Sequence, residues 1–122
     1  MSNALNWFEI PVTDLNRAKQ FYGAVLDAEL QDASMDGFNL AMLPHTDGGV
    51  GGALVVGDDY TPSDKGPIIY LNAGDNLEAP LKRIEAAGGK VVMPKTQISE
   101  EIGYIAMFID SEGNRMALHS PH

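Results

Sequence analysis

Two ionisable side chains stand where acid–base chemistry could be done. Glu9 lies in the run Leu5-Asn-Trp-Phe-Glu-Ile-Pro-Val12, and His119 lies near the other end, after Met116-Ala-Leu. Side chains alternate across a strand, so Glu9 shares a face with Trp7 and Pro11, and His119 shares one with Ala117. If both faces turn into one cleft, the carboxylate and the imidazole could exchange protons with a carbonyl substrate, as an isomerase or epimerase requires. The plain alternatives are a Glu9 tied to Arg115 or a tyrosine, and a His119 hydrogen-bonded for structure alone. Trp7, Phe38, Met42, Tyr70, Tyr104 and Met107 offer aromatic and thioether surface for lining a ligand site, with ordinary core as the alternative. His45 and His122 are expected in solvent, and Tyr60 in a linker or as a lid over the cleft.

Other chemistries are excluded or disfavoured. With no cysteine, the chain has no disulfide framework, thiolate nucleophile or cysteine-based metal site. Gly48-Gly49-Val50-Gly51-Gly52 leads into a strand rather than from a strand to a helix, so it is no phosphate cradle; it permits close backbone approach. The net charge of −9, with only eight dispersed Lys and Arg, speaks against nucleic acid and leaves a small molecule or a protein as partner. The apolar run Ile105 to Ile109 is too short to span a bilayer. The start, Met1-Ser-Asn-Ala-Leu-Asn6, lacks the basic and apolar segments of a secretion signal, so a cytoplasmic location is expected.

The elements that must position these residues repeat. Phe8, Ile10, Asp14 and Leu30 match Ile69, Leu71, Asp75 and Val91 at an offset of 61, and residues 49–55 are echoed by 113–119. A strand over 5–12 ends at the helix-start signal Thr13-Asp14. Leu15, Ala18, Phe21, Tyr22, Val25 and Leu26 then form one helical stripe. Strands follow at about 28–34, 37–43 and 50–56, with Asp36-Gly37 as a tight hairpin. A polar linker over 58–66 separates modules of about 1–57 and 67–122 within a single domain. The second module begins with a strand over 67–72. Asp75-x-x-Glu78 reads as a capping box for a helix carrying Leu77, Leu81, Ile84 and Ala87, with Pro80 confined to its first turn. Gly88-Gly89 ends that helix, and strands follow at about 90–98, 102–109 and 114–119.

The run Phe8-Glu-Ile-Pro-Val-Thr-Asp-Leu-Asn-Arg-Ala-Lys-Gln-Phe-Tyr22, with Gly88-Gly89-Lys90-Val91 and Phe108-Ile-Asp-Ser-Glu-Gly-Asn114, resembles the vicinal oxygen chelate superfamily. That group includes glyoxalase I, extradiol dioxygenases and the fosfomycin- and bleomycin-resistance proteins. The resemblance covers essentially the whole chain. It implies the glyoxalase/bleomycin-resistance/dioxygenase fold: α+β, two βαβββ modules forming a cup-shaped mixed sheet, and a homodimer. The family's enzymes hold a divalent ion with His, Gln or Glu on the first and last strand of each module, positions that fall here on Trp7, Ala53, Ile68 and Ala117. None of these can coordinate a metal. The resemblance therefore implies a protein without metal or other cofactor that binds a small organic molecule in its cup, in the manner of the bleomycin-resistance proteins. A two-residue shift of register would replace Trp7 and Ala117 by Glu9 and His119. That set would give a glyoxalase I-like lyase or dioxygenase with one divalent metal, and the metal-free Glu/His isomerase is the third reading.

Overall fold

The computed structural model describes residues 3–35 and 37–122. The elements run β1 (Trp7–Pro11), α1 (Leu15–Leu26), β2 (Gln31–Met35), β3 (Phe38–Met42) and β4 (Gly51–Val55), and then β5 (Tyr70–Asn72), α2 (Glu78–Arg83), β6 (Lys90–Ser99), β7 (Gly103–Ile109) and β8 (Arg115–Ser120). They build two four-stranded mixed sheets, ordered β1-β4-β3-β2 and β5-β8-β7-β6, with the first strand of each module parallel to its last. This is the duplicated βαβββ unit that the sequence predicts. The match extends to register, because Glu9 opposes Ala53 in one module as Tyr70 opposes Ala117 in the other.

Helix α1 follows its sequence signals. The Asp14 carboxylate accepts from the Arg17 amide at 3.1 Å, and Asp27 closes the helix in the left-handed region with φ 51°. The stripe Ala18, Phe21, Tyr22 and Val25 is buried. Helix α2 departs from expectation. The Asp75–Glu78 capping box does not form, and Asn76 Oδ1 takes the Glu78 amide instead at 2.9 Å. With its start at Glu78, the helix meets Pro80 at the third position, where a missing amide hydrogen leaves no intrahelical bond unmade. Leu77 and Ile84 are fully buried on the expected face, and Gly88 follows with φ 109°. Of the predicted hairpin pair, Asp36 lies outside the described residues; Gly37 has φ 81°.

The helix-facing sides of both sheets share one core, in which Ile10 and Leu54 of the first join Phe108, Met116 and Leu118 of the second. Helix α1 joins the two, since the Phe21 ring lies 6.0 Å from that of Phe108. The β7–β8 turn locks them further. Glu112 Oε1 accepts from the Thr13 and Asp14 amides, both at 2.9 Å, and Glu112 Oε2 accepts from Arg17 Nε at 2.7 Å. Asn114 Nδ2 donates to the Pro11 carbonyl at 2.7 Å. The Asp-Ser-Glu-Gly-Asn run is thus more than a turn before the last strand: it fastens module two to the end of β1. The cup expected from one mixed sheet is built as two sheets with no strand pairing between them among the described residues. Each keeps its own face turned away from the shared core.

Candidate functional site

Strand alternation assigns the outer face of the first sheet. The register aligns Glu9, Ala53 and Met42 in one row across β1, β4 and β3, with Trp7 one step along β1. Ala53 is fully buried and forms the floor, and Leu40 and Val55 extend it. Both oxygens of Glu9 are taken. Tyr60 donates its phenol proton to Oε1 at 2.6 Å, and Trp7 donates its indole N–H to Oε2 at 3.2 Å. The hydrogen bond to Glu9, then burial, pushes the Tyr60 phenol pKa up from its ordinary value. The Tyr60 ring meets Phe38 edge-on, 5.7 Å between centroids. Gly57 makes room for both, since a Cβ there would come within 2.8 Å of the Phe38 ring. Tyr60 is therefore the anchor of Glu9 rather than simple linker. The sequence signal for it was slight: it is the one aromatic residue in the stretch that joins the modules. His45, expected to be simply solvated, lays its ring over Gly51 while staying exposed.

The outer face of the second sheet carries an open groove of about 650 Å³ lined by Tyr70, Asn72, Ile98, Ile102, Ile105 and His119. His119 Nε2 lies 2.5 Å from the Ile102 carbonyl oxygen, so that nitrogen carries the proton and donates. Met107, opposite Ala117, shares this face, and Arg115 Nη1 reaches its sulfur at 3.8 Å. Tyr104 does not. It opposes the fully buried Ser120 and packs on the core side, with the Lys95 ammonium 4.6 Å from its ring centre. Three residues apart on one strand, Tyr104 and Met107 must face opposite ways, so Tyr104 leaves the predicted ligand set.

The predicted site residues thus divide into two groups. Trp7, Phe38 and Glu9 stand on the first sheet, and Tyr70, Met107 and His119 on the second. Glu9 and His119 make no contact with each other, so the acid–base pair is not assembled within one chain. The four positions implied as metal-holding are also divided. Ala53 and Ala117 are fully buried floor residues, the Trp7 indole has only a donor to offer, and Ile68 lines a cavity between the modules. None presents a lone pair to a cation. Among the described residues no group of three or more His, Asp or Glu is gathered closely enough to hold an ion. The cavity between the modules, about 920 Å³ and lined by Phe8, Leu43, Ile69, Leu71 and Arg83 among others, takes only Tyr70 from the predicted ligand set. It exists because the two halves touch mainly through α1, α2 and the β7–β8 turn.

No curated protein matches the chain. Solved structures do. UcmS2 is 25% identical with a TM-score of 0.68, covering 98% of both chains. A glyoxalase/bleomycin resistance protein from Streptomyces sp. CB03234 is 25% identical with a TM-score of 0.67, covering 96% of this chain and 100% of its own. A glyoxalase I mutant from Zea mays reaches a TM-score of 0.72 at 15% identity, which is a likeness of fold; the match covers 94% of this chain and 44% of the maize chain. The model of the Glyoxalase/Bleomycin resistance protein/Dioxygenase superfamily matches residues 4–118, and with its two βαβββ modules the chain belongs to that superfamily.

Proposed function

We propose that the protein is a cytoplasmic, metal-free member of its superfamily that binds a small organic molecule on the outer faces of its sheets and acts as a homodimer. The observation that carries this reading is the chemistry of four positions. Where the family's enzymes present His, Gln or Glu, this chain presents an indole, two methyl groups and a sec-butyl side chain. What remains on those faces is apolar and aromatic surface with a few fixed polar groups, the usual make-up of a small-molecule site.

The dimer is supported by exposure. Trp7 (37%), Phe38 (39%), Tyr70 (48%), Ile98 (48%) and Ile102 (54%) are the large apolar side chains left open at these faces. Contiguous apolar surface of this kind is ordinarily covered by a partner or ligand. Pairing the first sheet of one chain with the second sheet of another would close each face into a cup.

Elemental analysis of native, untagged protein, beside thermal shift with Ni, Zn, Fe and Mn salts, tests the metal-free reading. No stoichiometric metal, no metal-induced stabilisation and no glyoxalase activity on metal addition are expected. One bound transition metal per chain, lost on Glu9→Gln or His119→Ala, would overturn it.

A further inference from the structure

Glu9 presents both carboxylate oxygens as acceptors, the pattern of the ionised form, on a half-buried face. Among the described residues no Lys, Arg or His is ion-paired with it. Its two donors, the Trp7 indole and the Tyr60 phenol, are neutral. They fix the direction of the carboxylate and leave its charge without an ion-pair partner among the described residues, open to a cation from solution. The rings beside that charge form a connected set: Trp7 and Tyr60 each bond to Glu9, and Phe38 packs edge-on against Tyr60. Aromatic faces attract cations through their quadrupole, and a carboxylate at the same place adds to that attraction. Trp7 and Phe38 are each more than a third exposed, so these rings are available to a ligand rather than used up in the core. The surplus of acidic residues in the chain draws cations and repels anions at longer range.

We propose that the outer face of the first sheet takes an organic cation, a substituted ammonium or cationic heterocycle. The charged centre sits beside Glu9, and the apolar substituents lie against the exposed Trp7 and Phe38 rings. The proposal rests on the reading of this face as a ligand site and adds the class of ligand.

Trp7 is the only tryptophan of the chain, so its fluorescence reports directly on the site. The full-length protein is titrated with choline and benzyltrimethylammonium, beside the uncharged choline isostere 3,3-dimethylbutan-1-ol and the anion benzoate. A saturable change with both cations is expected, with an apparent Kd at least about tenfold lower for choline than for its isostere. Glu9→Gln should weaken the cations by about tenfold and leave the isostere unchanged, with the far-UV circular dichroism of the native chain retained. Equal binding of choline and its isostere overturns the proposal without any variant, and so does a folded Glu9→Gln protein with undiminished cation affinity. Saturable binding of the isostere or benzoate without preference for cations would sink the cation class and keep the ligand face. No saturable response to any of the four probes would sink both.

Discussion

Tyr22 is fully buried and donates its phenol proton to Asp110 Oδ2 at 2.6 Å. Burial, reinforced by the Asp110 charge, pushes that phenol well above its ordinary pKa, which keeps its proton in place for this bond. Asp110 also receives the Glu112 and Asn114 amides on Oδ1 and Asn114 Nδ2 on Oδ2. Tyr22→Phe should therefore cost about 1.5–3 kcal/mol in urea unfolding, the range for a hydrogen bond to a buried charged group. Tyr60→Phe removes a donor of similar geometry from a partly exposed carboxylate that water can reach, and the expected loss is under about 1 kcal/mol. The contrast separates a residue that holds the fold from one that shapes a site. Glu9 was legible in the sequence as an ionisable group inside an apolar run. A tyrosine was one of the partners the sequence offered for it, but which tyrosine was not legible, because residues 51 apart meet only through tertiary structure.

The β7–β8 turn concentrates the contacts that hold the two modules together, and Glu112 is its centre. Burial alone would raise the Glu112 pKa, but hydrogen bonds from Arg17, the Asp14 and Thr13 amides and the Ser111 hydroxyl outweigh it and hold the pKa down at about 2. A carboxylate whose pKa is depressed by folding lends stability that is complete above its ordinary value near 4.5 and is lost as pH falls from there towards 2. With Arg17 half exposed, the contribution is about 2 kcal/mol. Urea midpoints measured between pH 6 and pH 3 should fall more steeply for the native chain than for Glu112→Gln, which starts less stable and lacks this titration; parallel slopes would contradict the assignment. At this scale the sequence was informative wherever a single period governed. The α1 stripe and the order of strands in each module follow from local pattern. Helix α2 shows where local pattern stops: Asp75 and Glu78 have the spacing of a capping box, yet Asn76 supplies the bond, and Leu77 is tied to the chain end by its amide donating to the His122 carbonyl oxygen at 3.0 Å. The side on which each module's outer face would lie was also hidden, since it depends on how the two halves dock rather than on either half alone.

For the molecule as a whole, two forces act on self-association in opposite directions. Apolar side chains on the outer faces favour covering by a second copy, and the two sheet faces differ enough that each suits the other better than itself. The first offers Trp7, Phe38 and a carboxylate; the second offers Tyr70, three isoleucines and a histidine. Against this, every chain carries a net charge of −9, and bringing two together doubles it. Repulsion between exposed charges is screened over about 10 Å at 0.1 M salt and over about 3 Å at 1 M, while burial of apolar surface is not weakened by salt. The dimer should therefore tighten as sodium chloride rises. Sedimentation equilibrium at micromolar protein should give a species of twice the 13.1 kDa chain mass, with a dissociation constant that falls between 0.05 and 0.5 M salt by about tenfold or less. Ile102 is 54% exposed at the groove and contributes little to either core, so Ile102→Glu should yield a monomer whose urea midpoint, measured at a protein concentration where the native chain is also monomeric, is unchanged. A native chain that sediments as a monomer at all salt concentrations, or an Ile102→Glu dimer as tight as the native one, would move the interface away from these faces.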